Sequence, residues 1–533
     1  MSVPTSGIRV CTAAEAAALD RAAIDGGIPG RALMQRAGAA AAGEITRRYG
    51  AALGRGVLVL CGPGNNGGDG WVIARALRAA GIRVRVWESG TARTADALAE
   101  RTLAIDAGVP RSQEPDFDGE GIVVDAILGT GATLPVREDA LAGVRAARHA
   151  RSRGACVVAI DLPTGVDATT GAIDAAGNVV DADFTVTFGT LKRGHLIARE
   201  TCGDIVVADI GLPAPAFDGL PTLIDARRTA MLMPPMPADA HKGSRKRIAI
   251  LGGAAGMAGA AILAARGALR TGAGLVKLIV HPDSLSAVQQ AVPQALAATW
   301  GNADVLARTI AAWADAVAIG PGLGANAESR ALVERILAGT RVPVVLDADA
   351  LNVFAGAGAT LRHAIGEREA LLTPHPAEMM RLVGAPDVGT VLAERFDIGG
   401  RLAAEVGAAV LLKGVPTVIS SADGRRLVSA VGTAALATGG SGDVLTGMAA
   451  TLLAQTGDAM KAGALAAWAH GRAAEIVTAR LDSPRGVSLD EILEALPDAL
   501  PTAWGERPVR MPYPIVCEIP APPGRATCEA SEE

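Results

Sequence analysis

Two glycine-and-acid loops carry the chemistry for which this chain can be read. The first is Gly62-Pro63-Gly64-Asn65-Asn66-Gly67-Gly68-Asp69-Gly70, which follows the apolar run Val57-Leu58-Val59-Leu60. The second is Ala437-Thr438-Gly439-Gly440-Ser441-Gly442-Asp443, which opens a long apolar stretch. Both have the composition of turns into helices, where bare backbone amides can face an anionic ligand. Two such loops, far apart in one chain, point to two sites handling related phosphorylated molecules.

The first loop is not GxGxxG, so a plain dinucleotide fingerprint does not apply. Two further strand ends carry acids: Val124-Asp125-Ala126-Ile127-Leu128-Gly129-Thr130-Gly131 and Ile160-Asp161-Leu162-Pro163-Thr164-Gly165. In a parallel sheet such carboxyl ends converge on one crevice. Asn66, Asp125, Asp161 and Thr164 are therefore expected in one small volume. Clustered oxygens of that kind suit a hard cation such as K⁺ or Mg²⁺ and a proton-transferring carboxylate. Taken singly, Asp125 or Asp161 has a second, less favoured reading as the cap of a following turn.

In the second loop, successive glycine amides would stabilise charge developing on a transferring phosphoryl group. Asp443 is placed to accept a proton from an attacking hydroxyl. Lys413-Gly414-Val415-Pro416-Thr417 follows the apolar run Val410-Leu411-Leu412, where the ammonium can meet nucleotide phosphates. Only six of the 50 basic residues are Lys (192, 242, 246, 277, 413 and 461), which singles out any Lys inside a motif. Ahead of these lie Gly320-Pro321-Gly322-Leu323-Gly324, Asp347-Ala348-Asp349 and Thr373-Pro374-His375-Pro376-Ala377-Glu378. By themselves, Asp347 and Asp349 read as turn caps rather than magnesium ligands. His375 reads locally as a turn residue, and His470 as a packed or surface histidine.

The elements that must position these residues alternate. Strands are expected at Val57–Cys61, Val84–Trp87, Ile122–Asp125, Cys156–Ile160, Phe184–Phe188 and Ile205–Ile210, with helices such as Trp71–Ala80 and Ala95–Ala107 between them. A helical segment, about Ala13–Tyr49, precedes them. After a proline-rich passage the rhythm restarts at Arg247–Leu251, Leu275–Val280, Ala316–Ile319, Val344–Asp347, Ala370–Thr373 and Val410–Lys413. This is the βαβ signature of two mostly parallel, helix-covered sheets. The domains are expected at 1–218 and 241–504, with a linker without regular structure at 219–240 and an irregular, acidic tail at 505–533. No internal repeat is evident.

At 533 residues and 50% apolar content, the chain has material for two cores. The net charge of −5 is spread without a basic stripe, which argues against nucleic acid as a partner. Six Cys without a CxxC spacing fit reduced thiols. The chain start lacks a signal-peptide pattern, and no apolar run is long enough for a membrane helix. A cytoplasmic, soluble protein is expected.

GPGNNGGDG, VDAILGTG and IDLPTGVD resemble the N-terminal YjeF-type NAD(P)H-hydrate epimerase domain, over about residues 8–215. The resemblance implies a Rossmann-like three-layer α/β sandwich. It implies that Asn65, Asn66, Gly67, Gly68 and Asp69, with Gly129, Thr130, Gly131, Ala132, Thr133, Leu134 and Pro135, line a hydrated nicotinamide nucleotide. It also implies that Asn66, Asp125 and Thr164 hold K⁺, and that Asp161 transfers a proton. Thr164 stands where the family usually has Ser, and it keeps the hydroxyl.

The later motifs, with His241-Lys242-Gly243 and Leu269-Arg270-Thr271-Gly272-Ala273-Gly274, resemble the ribokinase-like NAD(P)H-hydrate dehydratase domain over about residues 226–500. That resemblance implies a second three-layer α/β domain, in which Ala261, Gly322 and His375–Arg381 contact the hydrate. Lys413, Gly414, Val415, Pro416, Thr417 and Gly442 would contact the nucleotide, with Mg²⁺, and Asp443 would act at the substrate. ADP is the implied phosphoryl donor, giving AMP and phosphate. Lys246, Ala258, Ala377 and Thr433 depart from the residues common in the family. The implied whole is a bifunctional enzyme of NADH and NADPH hydrate repair, expected as a homo-oligomer. The alternatives are a ribokinase- or hydroxyethylthiazole-type kinase with an accessory N-terminal domain, and an N-terminal domain that only binds or scaffolds.

Overall fold

The computed structural model describes residues 7–213, 219–500 and 514–523. The chain forms two compact units, residues 1–218 with 509–533, and residues 219–508. In the first, Val57–Cys61, Ile122–Ala126, Cys156–Ile160 and Phe184–Phe188 are buried along their whole length. Strands covered by helices on both faces are apolar at most positions, and the buried exceptions, Asp125, Thr185 and Thr187, are each hydrogen-bonded. The sheet has the order 515–519, 204–208, 184–188, 156–160, 122–126, 57–61, 84–88, 111–112. All its pairings are parallel except that of Ile515–Ile519 with Asp204–Ala208. From Val57–Cys61 the chain goes first to one side of the sheet and then to the other. A ligand crevice therefore opens between Val57–Cys61 and Ile122–Ala126.

The helix at that crevice runs Asn65–Ala79, starting at the glycine motif and not at Trp71. Glycine is a poor helix former, and tertiary packing decides the matter here. A Cβ on Gly67 would stand 1.8 Å from the Gly62 carbonyl oxygen, so only glycine lets this turn close onto the strand end.

The second unit has a ten-stranded sheet in the order 222–224, 426–429, 417–420, 409–412, 370–372, 344–346, 316–319, 247–251, 275–280, 296–299. Its pairings are parallel except on the two sides of Thr417–Ser420. The switch point lies between Arg247–Leu251 and Ala316–Ile319. Helix Ser441–Thr456, which starts inside the second glycine loop, crosses helix Ala258–Arg270 at backbone distance. A Cβ on Gly447 would lie 1.8 Å from the Ala264 oxygen, and one on Gly267 would lie 2.4 Å from the Val444 oxygen.

Two expectations are corrected. The expected linker contains the strand Thr222–Ile224, parallel to Arg426–Ser429, and the helix Ala226–Leu232. Leu223 and Ile224 are buried, and the Asp225 carboxylate caps the helix at Arg228 N, 2.7 Å away. The prolines flank this pair of elements without interrupting it. The tail is not wholly irregular, because Ile515–Ile519 is an edge strand anchored by Arg48 to Glu518. Pro215, Pro508, Pro512 and the acidic end lie outside the described residues.

Lys246 has φ +74°, a left-handed conformation that glycine adopts without cost. Ala258 opens a helix, at the one helical position that favours proline. Cys11, Cys61, Cys202 and Cys517 are free thiols, as expected of reduced cysteines. No helix among the described residues is long and apolar enough to cross a membrane.

Candidate active sites

In the first crevice Asp161 takes the left-handed conformation, φ +65°, which turns its side chain out of the line of the strand. Its Oδ1 accepts from Lys192 Nζ at 2.5 Å and from Thr187 Oγ1 at 3.2 Å. Its Oδ2 accepts from Thr130 N at 2.9 Å and also from the Thr130 hydroxyl. Burial alone would raise this carboxyl. The Lys192 ammonium and the Thr130 donors outweigh burial and hold it well below the ordinary range. Lys192 is itself buried and also donates to Thr187 Oγ1 at 2.8 Å. His195 Nε2 donates to the Asp161 carbonyl at 2.6 Å, while its Nδ1 accepts from Lys192 N. Burial, then the Lys192 charge, push this imidazole down to about 4, so it is neutral and locked.

Beside this group, Asp125 is fully buried. Its Oδ1 accepts from Thr164 Oγ1 at 2.7 Å and from Ile127 N at 3.2 Å, and its Oδ2 accepts from Thr164 N at 2.8 Å. Burial pushes it up to about 6 against the hydrogen bonds from Thr164 and Ile127. Asn66 is the unsatisfied member. Both polar atoms of its amide are buried without a hydrogen-bond partner, a cost that a bound ligand would relieve. A methyl group on Gly129 would lie 3.1 Å from both Asn66 Cγ and Asp161 Oδ2, so the three residues share one small space.

Asn65 points elsewhere, and its Oδ1 accepts from Thr94 Oγ1 at 2.6 Å. Gly67 and Gly68 are buried in packing. Burial, then Asp161 and Asp20, push the Asp69 carboxyl well above its ordinary value. In the following loop Gly131, Thr133 and Pro135 are exposed, with Ala132 and Leu134 half-buried.

In the second unit Lys413 Nζ pairs with Asp347 Oδ1 at 2.6 Å. A methyl group on Gly442 would lie 3.1 Å from that ammonium, so the cation rests against the glycine loop. Asp443, one residue on, is pushed up to about 7 by burial and then by Asp347, with Lys413 opposing and Asp349 and Glu378 adding. His375 caps helix Pro376–Val383, with Nδ1 accepting from Ala377 N at 3.1 Å and Nε2 3.3 Å from Glu378 Oε1. Burial, and then the nearby Lys413, lower its pKa.

Gly414 and Val415 are exposed, and the Pro416 carbonyl accepts from Arg395 Nη1 at 3.1 Å. Thr417 Oγ1 donates to the Gly414 carbonyl at 2.5 Å. Gly322 has φ +58° and packs on Met257, while Ala261 has no exposed surface. The reading of Asp347 as a turn cap is overturned, because its carboxylate holds Lys413 and the Thr446 hydroxyl instead. Asp349 Oδ2 accepts from Gly324 N at 2.8 Å, in the Gly320–Gly324 loop and not in the turn that Asp349 itself opens. His470 is buried, 3.4 Å from Ser441 Oγ.

Residues 30–194 match the model described as the YjeF-related protein N-terminus, and residues 248–498 match that of NAD(P)H-hydrate dehydratase. A bifunctional NAD(P)H-hydrate repair enzyme of Escherichia coli is 35% identical over 473 residues, covering 87% of this chain and 88% of the relative. The chain belongs to the family of bifunctional NAD(P)H-hydrate repair enzymes. A Moorella thermoacetica enzyme of the same description is 35% identical over 521 residues, 92% of this chain and 96% of the relative. Among solved structures, a Bacillus subtilis ADP/ATP-dependent NAD(P)H-hydrate dehydratase co-crystallised with ATP and Mg²⁺ is 30% identical. It covers 53% of this chain and 98% of its own, with a TM-score of 0.47.

Each family model falls on one unit, and each unit holds one glycine-and-acid loop. Sequence reasoning missed Lys192, Thr187 and His195 as partners of Asp161, and Asp347 and Thr446 as partners of Lys413. The scarcity of Lys is the signal that could have found Lys192. The side-chain positions of Thr187 and Thr446 leave no comparable mark in the sequence.

Proposed function

We propose that this chain epimerises R and S NAD(P)H hydrate in its first unit and dehydrates the S form in its second, with ADP as phosphoryl donor. The observation that carries this reading is the separation of the two carboxylates into two units, each with its own donors, in a chain related over nearly its full length to repair enzymes. Relatives over that length favour it over a kinase with an accessory domain.

Asp161, kept ionised by Lys192, takes the proton of the C6 hydroxyl as the C6–N1 bond opens, and returns it when the ring recloses on the other face of C6. Thr130 and Lys192 fix its geometry. The ligand set around Asn66, Asp125 and Thr164 fits K⁺. It is all oxygen apart from the Asn66 amide nitrogen, it holds a single buried carboxylate, and the orphaned Asn66 oxygen gains a partner. The ion would supply a fixed positive charge beside the nucleotide.

At the second site Asp443 takes the proton of the C6 hydroxyl as the phosphoryl group transfers, leaving AMP. The C6–O bond then breaks to release phosphate, and a C5 proton passes to the departing phosphate or to water as the ring double bond returns. The amides from Gly440 to Gly442 and the Lys413 ammonium face the transferring charge. The described residues contain no group of three His, Cys, Asp or Glu able to cage a metal ion. Mg²⁺ is therefore assigned to the nucleotide phosphates, and no protein ligand is named for it.

Racemic hydrate with ADP tests the division of labour. Asp443→Ala should consume no hydrate yet still interconvert the epimers. Asp161→Ala should stop near half consumption. Loss of both activities in either folded variant would reject two independent sites.

A further inference from the structure

The second site holds a buried carboxylate that the reaction above does not use. Asp347 follows the strand Val344–Leu346 and is 1% exposed. Its Oδ1 accepts from Lys413 Nζ at 2.6 Å, and its Oδ2 accepts from the hydroxyl of Thr446. Thr446 lies on the helix that Ser441 opens, three residues beyond Asp443. A methyl group on Gly442 would be 3.1 Å from Lys413 Nζ and 3.9 Å from Asp347 Oδ2, so the whole pair is seated against the glycine loop. Asp443 itself has no ion pair among the described residues. A buried ion pair is a weak stabiliser, often matched or bettered by apolar side chains of the same volume. Its presence under a glycine loop therefore calls for a reason other than stability.

We propose that Asp347 is a positioning residue of the dehydratase site: anchored by Thr446, it holds the Lys413 ammonium against Gly442, where phosphate oxygens arrive, and keeps that cation off Asp443. The inference rests on the dehydratase reading and deepens it. With Lys413 so held, Asp443 remains a base that titrates near neutral pH instead of a permanently ionised partner of a lysine. The charged and titratable groups bearing on Asp443 are Asp347, Lys413, Asp349 and Glu378. Those bearing on Lys413 are Asp347, Glu378 and Asp443, and its own charge is felt at His375 and His470.

The test is the pH profile of kcat for ADP-dependent dehydration of S hydrate by the full chain. In Asp347→Asn the acid limb should move down by about one pH unit, because a like charge is lost and Lys413 is freed toward Asp443. The KM for ADP should rise about tenfold as one charge-assisted contact at Gly442 is lost. Lys413→Met should move the limb the opposite way, upward. Titration of the ADP phosphates is common to all variants and does not shift between them. If Asp347→Asn does not fold, the double variant Asp347→Asn/Lys413→Met, which leaves no unpaired buried charge, decides. Its limb should lie below that of the unmodified chain, since Asp347 outweighs Lys413 at Asp443. A limb unmoved or raised in Asp347→Asn, or in the double variant where the single one does not fold, would overturn the proposal. An unmodified chain unable to dehydrate with ADP or ATP would instead reject the dehydratase reading, before any variant is made.

Discussion

Two of the chain's six lysines sit beside the two carboxylates proposed to be reactive, and they do opposite things. Lys192 touches Asp161 and keeps it ionised, whereas Lys413 touches Asp347 and leaves Asp443 poised near pH 7. Lys192→Met is predicted to slow epimerisation about a hundredfold or more at pH 7, the scale of a lost acid–base group. Activity should recover as pH rises, because unopposed burial lifts Asp161. A loss equal at every pH would contradict this account. Dehydration should instead rise with pH through about 7, as the raised carboxyl of Asp443 loses its proton, and a profile flat from pH 5 to 8 would refute that. At this scale the motif residues were legible because chemistry restricts their types. Their partners were not, since Thr187 and Thr446 are ordinary strand and helix residues until the fold brings them into contact.

At the scale of elements, twelve strands were read nearly residue for residue because most buried parallel strands leave near-continuous apolar runs, whereas Thr222–Ile224, Leu296–Thr299 and Ile515–Ile519 were missed. The helix start at Asn65 was missed because glycine argues locally against helix, and only the close approach of Gly67 to Gly62 reverses that. The strands Thr417–Ser420 and Arg426–Ser429 form an antiparallel pair with only two apolar residues each between polar ends, too few to mark a strand. The crossing at Gly447 is what seats the second glycine loop. Gly447→Ala would drive a methyl group into the Ala264 carbonyl, and a destabilisation of about 1–3 kcal/mol is expected from such overpacking. Thermal unfolding should show it in the second unit, with dehydration reduced and epimerisation spared. An unchanged melting temperature would show that the helices can part without cost.

On the scale of the molecule, the two units were visible as two runs of βαβ rhythm, but the fate of the chain end was not. Ile515–Ile519 returns to the first unit, where it covers the edge strand Asp204–Ala208, with Arg48 bridging Asp204 and Glu518. Deleting residues 514–533 should expose that edge and lower the stability of the epimerase unit, leaving ADP-dependent dehydration intact; equal melting of the truncated and full chains would argue against it. The central claim is that one chain carries both halves of a repair cycle. Its most direct test is the extent of reaction of the full chain with racemic NADH hydrate, ADP, Mg²⁺ and K⁺. Consumption of all the hydrate, with AMP and phosphate formed in step, is the predicted result. A reaction that stops at half would contradict the epimerase assignment, and none at all, with ADP or with ATP, would contradict the dehydratase.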